Sequence, residues 1–121
     1  MERNGRLPEE FRDRTKRFAA SVIRYFVALP KTHEEARVCG RQMLRSGTSV
    51  AAHVREASRA RSDAEFISKL GGALQEADET TLWLELLCEE CGMAANVSEP
   101  LEAEASELIA IMTSMIRKTK S

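Results

Sequence analysis

Long apolar runs, paired cysteines, aromatics, prolines and glycines are all scarce in this 121-residue chain, and each shortage excludes something. No apolar stretch reaches the roughly 18 residues of a membrane span, and the best candidate, Phe18 to Leu29, is interrupted by Arg24. Three cysteines do not make a disulfide framework, and the opening MERNGRLPEE carries no apolar signal-peptide segment. The expectation is therefore a protein of the reducing cytoplasm, off the membrane. Six aromatics are few for stacking nucleic-acid bases, and neither histidine has the Glu three residues before it that a di-iron bundle requires. Strand-like alternation and internal repeats are also missing.

All three prolines, and Gly92 among the glycines, fall where they punctuate. Pro8 precedes a first periodic stretch, Pro30 ends it, Gly92 follows a third and Pro100 opens a fourth. Four helices result, with residues 1–8 as a flexible N-terminus and 9–118 as one domain. The first, about 9–29, carries Phe11, Thr15, Phe18, Val22 and Phe26 on one stripe. Thr32-x-x-Glu35 predicts a capping box at the start of the second, about 34–60, whose stripe is Ala36, Cys39, Met43, Gly47, Val50, Val54 and Ala57. Ser62-x-x-Glu65 predicts another for the third, which runs to about Cys91 with an unbroken heptad stripe of Phe66, Leu70, Ala73, Ala77, Thr80, Leu84, Leu87 and Cys91. The fourth, about 98–117, carries Leu101, Ala105, Leu108, Met112 and Met115, with acids near its start and Arg117 and Lys118 at its end. Short connections make neighbours antiparallel, which gives an all-α, antiparallel up-down four-helix bundle.

Around Leu82, Trp83 and Leu86 the third helix is apolar beyond its heptad stripe. A lone bundle would leave that arc wet, although burying each such side chain contributes about 1.5–3 kcal/mol. These three residues are the candidate surface for self-association. Charge is equally uneven: residues 1–61 hold 14 Lys+Arg against 7 Asp+Glu, whereas residues 62–121 hold 4 against 12, for an overall −1. Arg37, Arg41, Arg45, Arg55 and Arg59 fall within an arc of roughly 80° on the second helix. Folding helix three back about Arg61 sets Arg45 opposite Glu76, Arg41 near Glu79 and Arg37 opposite Glu85, an interhelix ladder of ion pairs. Arg55, Arg59 and Arg61 face fewer acids, and are the candidates for phosphate contacts.

Gln42-Met-Leu-Arg-Ser-Gly-Thr-Ser-Val-Ala-Ala-His53, Arg55-Glu56-Ala57, Arg59-Ala-Arg61-Ser62, Ala64-Glu65-Phe66-Ile67 and Glu76-Ala-Asp-Glu79-Thr-x-x-Trp83-Leu-Glu-Leu-Leu87 together resemble the four-helix-bundle proteins encoded in 23S ribosomal RNA intervening sequences. The likeness spans about residues 11–118, and departs from the family pattern at His53, where Asn is usual. The resemblance implies a homopentameric bundle of poorly defined role. Similar bundles are the accessory variability determinants of diversity-generating retroelements, which implies RNA, DNA or a reverse transcriptase as partner.

Other chemistry finds little footing. Cys88-Glu-Glu-Cys91 ends a helix, whereas reactive thiols of that spacing sit at a helix start; with Cys39, His33 and His53 it makes an incomplete zinc set, so packing is expected. His53 is expected to be a hydrogen-bonded structural residue. Glu76-x-x-Glu79 and Glu56 could suggest a Mg²⁺-dependent nucleotide hydrolase, but a second acidic motif to complete the cage is missing. The expected function is a non-catalytic homo-oligomeric binding or assembly module without cofactor or metal, with nucleic acid or a reverse transcriptase as partner. A protein-interaction module that binds no nucleic acid is the alternative, and the nucleotide hydrolase ranks last.

Overall fold

The computed structural model describes residues 5–121. They form α1 (Glu9–Ala28), α2 (Glu34–Ser58), α3 (Asp63–Glu89) and α4 (Ala95–Lys120), with no strand among the described residues. Each helix packs on its neighbours in sequence, α4 closes back on α1, and α1–α4 is the least extensive seam. The all-α four-helix bundle read from the periodicity is the fold.

The seven heptad positions inside α3 are buried, as is Cys91 just past its end, with Leu70, Leu84 and Leu87 completely so. Such a stripe has its reason in the 3.6-residue turn: apolar side chains spaced by four and three stay on one side, and the bundle interior is where they leave water. On α1, Tyr25 is buried in place of Phe26, which is half-buried because its ring lies beside Gly40 and under the Arg37 guanidinium, 4.7 Å away. On α2, Cys39 is only half-buried, while Gly40 and Ser46 join the core side. Ser46 is tolerated there because its hydroxyl pairs with that of Thr80 at 2.8 Å, so neither buried oxygen is left unsatisfied.

The helix ends correct three expectations. Ser62 caps α3 as expected, its hydroxyl accepting from the Glu65 amide at 3.1 Å, but the box at Thr32 does not form. His33 holds the cap position without a side-chain bond, and the Thr32 hydroxyl turns to its Nδ1. At the other end of α3, Gly92 takes φ +78°, the left-handed conformation that lets the Met93 amide return to the Leu87 carbonyl at 3.0 Å. Helix α4 starts at Ala95, so Pro100 sits inside it, in the second turn, and leaves the Asn96 carbonyl without its helical donor. Consequently Glu99, Glu102 and Glu104 lie beyond the first turn, and the dipole is complemented only at the C-terminus, by Arg117, Lys118 and Lys120.

The expected flexible segment 1–8 lies partly outside the described residues. Within it, Leu7 is 3% exposed, and the Arg6 amide donates to the Ser58 carbonyl at 2.9 Å. The Arg6 side chain donates to the Ala60 carbonyl and pairs with Asp63 at 2.7 Å, tying this segment to the α2–α3 turn. Gly5 lies against that turn, and a Cβ there would overlap the Ser58 carbonyl.

Candidate functional site

Gly47 and Val22 set how closely α1 approaches α2. At Gly47 an added Cβ would come within 2.8 Å of both methyls of Val22. This close, antiparallel approach brings Arg12 and Lys16 of α1 alongside Arg55 of α2. The three cations line a cleft of about 410 Å³ whose remaining walls are Ala51, Ala52 and Glu56. The alanines leave the room. Glu56, the one acid in the lining, is turned to other cations, with Oε1 3.1 Å from His53 Nδ1 and 3.7 Å from Lys69 Nζ. Lys16 and Arg55 themselves make no ion pair among the described residues.

Of the three arginines singled out in the sequence, only Arg55 lines this cleft. Arg59 caps the C-terminus of α2 and is exposed. Arg61 is 91% exposed in the turn, where it makes a loose contact of 3.8 Å with Glu65. Arg12 and Lys16 were missed. Their four-residue spacing beside the α1 stripe was visible, but their neighbour across the seam depends on the α1–α2 register, which composition does not supply.

The ion-pair ladder is shorter than expected. Arg45 reaches both Glu76 at 3.3 Å and Glu79 at 2.6 Å, whereas Arg37 stacks on Phe26 and Arg41 forms no ion pair among the described residues. The cause is register: Ser46 meets Thr80 and Glu56 approaches Lys69, about one turn from a count folded about Arg61. Glu79 also accepts from the Trp83 indole N–H at 3.0 Å. That hydrogen bond, and then Arg45, hold its carboxyl below the usual carboxylate value. On the opposite side Arg14 forks onto Glu104 at 2.7 and 2.9 Å and reaches Glu107, a clamp across the α1–α4 seam. Opposite charges of the two halves thus meet at Arg45 and Arg14, away from the Lys16–Arg55 cleft.

Leu82 is 46% exposed and points outward. Leu86, one turn on, is half-buried. Trp83 is half-buried against the core and its indole N–H is fixed on Glu79; at about 100° per residue it lies on one arc of α3 with Leu82 and Leu86. The Glu76-x-x-Glu79 carboxylates grip Arg45, and no group of three His, Cys, Asp or Glu that could hold a metal occurs among the described residues. All three cysteines are free thiols; burial and then the neighbouring Cys39 push the Cys91 thiol up, away from the thiolate form a redox site needs. His53 bonds to Glu56 and lies flat beside Gly72. No helix among the described residues is long and apolar enough to cross a membrane.

Comparison with known proteins gives two findings and one blank. The sequence profile of the family described as 23S rRNA-intervening sequence protein matches residues 10–114. Among solved structures, a protein with unknown function from the S23 ribosomal protein family of Bacteroides thetaiotaomicron VPI-5482 is 37% identical. The two superpose with a TM-score of 0.81 over 88% of this chain and 97% of that one. A search of curated proteins returns no match.

Proposed function

The chain belongs to the 23S rRNA-intervening sequence protein family, and from that premise we propose that it is a non-catalytic, homo-oligomeric bundle that binds the phosphate backbone of structured RNA. The observation that carries this reading is the α1–α2 cleft, where Arg12, Lys16 and Arg55 converge around two alanines. Phosphate oxygens are acceptors only, so a site for them needs cationic donors, room, and little competition from carboxylates. Lys16 and Arg55 supply the donors, the alanines the room, and Glu56 is engaged by His53 and Lys69. Arg59 and Arg61, exposed farther along at the end of α2, extend the positive surface.

A net charge of −1 does not oppose this reading, because acids such as Glu76, Glu79, Glu104 and Glu107 are held by Arg45 and Arg14 on other faces. Self-association repeats each cleft around a symmetry axis, so contacts that are individually weak add by multivalency. Recognition is of shape and charge rather than sequence, since phosphate contacts position a nucleic acid without reading its bases.

Fluorescence anisotropy of a labelled, structured RNA tests the proposal. The wild type should bind at low salt, and Lys16→Ala/Arg55→Ala should weaken binding by about tenfold or more without changing the oligomer's mass. Arg41→Ala, which removes an exposed arginine outside the cleft, should change it little. Absence of wild-type binding at low salt and micromolar protein would transfer the module to the class that contacts protein alone.

A further inference from the structure

The least packed seam of the bundle, α1–α4, also opens at the surface. Two clefts of about 260 and 340 Å³ lie along it and share Ser21, Pro100 and Leu101, forming one continuous groove from Arg14 to Ala28. At 1.5 Å per residue this is about 20 Å, the length of a helix of about four turns. The Arg14–Glu104 clamp walls off one end. Ala28 and Val97, both exposed, line the other end.

Its floor is apolar: Phe18, Tyr25 and Leu101 are each more than 90% buried, and the α4 rim adds Val97, 49% exposed, and Pro100. Its α1 rim is cationic. Arg17 makes no ion pair among the described residues, and Arg24 donates only to the Ser21 hydroxyl. The two arginines are seven residues apart, which places them on one side of α1 and about 10 Å from each other. On these observations we propose that the α1–α4 groove docks an amphipathic acidic helix of a partner protein. Its apolar stripe lies on Phe18, Tyr25 and Leu101, and carboxylates two turns apart meet Arg17 and Arg24.

A helix fits better than an extended peptide because the groove is bounded by two helices and offers no row of backbone donors to a strand. Nucleic acid fits poorly, since Phe18 and Leu101 offer its phosphates no donor and Glu104 lines the site. Nor does the site coincide with the α1–α2 cleft: Arg12, Lys16 and Arg55 are absent from its lining. The inference therefore stands whether or not RNA binds there.

The test uses a fluorescein-labelled helical peptide of about 16 residues with leucines at i, i+3, i+4 and i+7 and glutamates along one flank, beside a copy with lysines for the glutamates. The glutamate peptide should saturate the full-length wild type, and Arg17→Glu/Arg24→Glu should weaken it by about tenfold while strengthening the lysine peptide. Ser21→Trp, which fills the groove from the half-buried position where its two clefts meet, should abolish binding of both. The proposal is overturned if neither peptide saturates the wild type, or if the two bind equally well. It is equally overturned if Ser21→Trp changes the native subunit number, because the groove then belongs to a second copy of this chain.

Discussion

Gly47→Ala and Gly71→Ala make the same chemical change in helix interiors, yet the structure requires different outcomes. Replacing glycine by alanine inside a helix is worth about 1 kcal/mol of propensity. At Gly71 the new methyl meets nothing within 4 Å, so that gain should appear in full. At Gly47 it meets Val22 Cγ1 and Cγ2, both at 2.8 Å, and Val22 is fully buried. A β-branched side chain has no second rotamer to retreat to in a helix, so α1 must move off α2, an overpacking that costs about 1–3 kcal/mol. The net at Gly47 is a loss of about 0–2 kcal/mol, leaving the two variants about 1–3 kcal/mol apart. For a domain of this size each kcal/mol is about 3–5 °C in Tm. Thermal unfolding followed by far-UV circular dichroism, at one fixed protein concentration, measures the separation. Adding Val22→Ala should restore part of the Gly47→Ala loss, as a coupling of about 1 kcal/mol in a double-mutant cycle. A Gly47→Ala protein as stable as Gly71→Ala, or additive with Val22→Ala, would refute the close approach that builds the α1–α2 cleft.

Arg45→Glu sets like charge against Glu76 and Glu79 and should lower stability by about 1 kcal/mol, whereas Arg59→Glu, with no acid facing it, should change it by a few tenths; equal urea midpoints would contradict the register. The depressed carboxyl of Glu79 contributes stability that is present above the ordinary carboxylate value of 4.5 and is lost as pH falls through its own lower value. Trp83 is the sole tryptophan and donates to that carboxylate, so its fluorescence should titrate below 4.5; a midpoint at or above 4.5 would count against the hydrogen bond. Leu82→Glu alters an exposed position without touching the Trp83–Glu79 bond, and should lower the native mass toward that of the protomer if the outer face of α3 joins subunits; an unchanged mass places the joint elsewhere.

What could be read in the sequence followed from periodicity. The α3 stripe was legible in full because eight residues at heptad spacing admit one inward face, and Ser62 was legible because a cap depends on local chain alone. Thr32 failed on the same rule, as its hydroxyl has the His33 ring to bond instead. Pro100 misled because proline marks helix starts more often than second turns, and the chain from Ala95 to Glu99 was helical before it. The candidate site was read in part. Arg55 belongs to the cleft, but Arg12 and Lys16 lie some 40 residues away in sequence and come to it through Val22 seated on Gly47, a detail of packing that charge counting does not contain. Likewise the Arg41 and Arg37 pairs depended on a register that the α2–α3 turn shifts by about one helical turn.

The central claim, that Lys16 and Arg55 hold phosphates in a cleft beside Arg12, is tested most directly by the salt dependence of structured-RNA binding. Each phosphate neutralised on a duplex releases condensed counterions and adds about 0.9 to the slope of log K against log salt. With the wild type and Lys16→Ala/Arg55→Ala measured over the same salt series, the variant's slope should be shallower by about 2 for each protomer engaged, with the native mass unchanged. Parallel slopes for the two proteins would contradict the assignment, whatever their affinities.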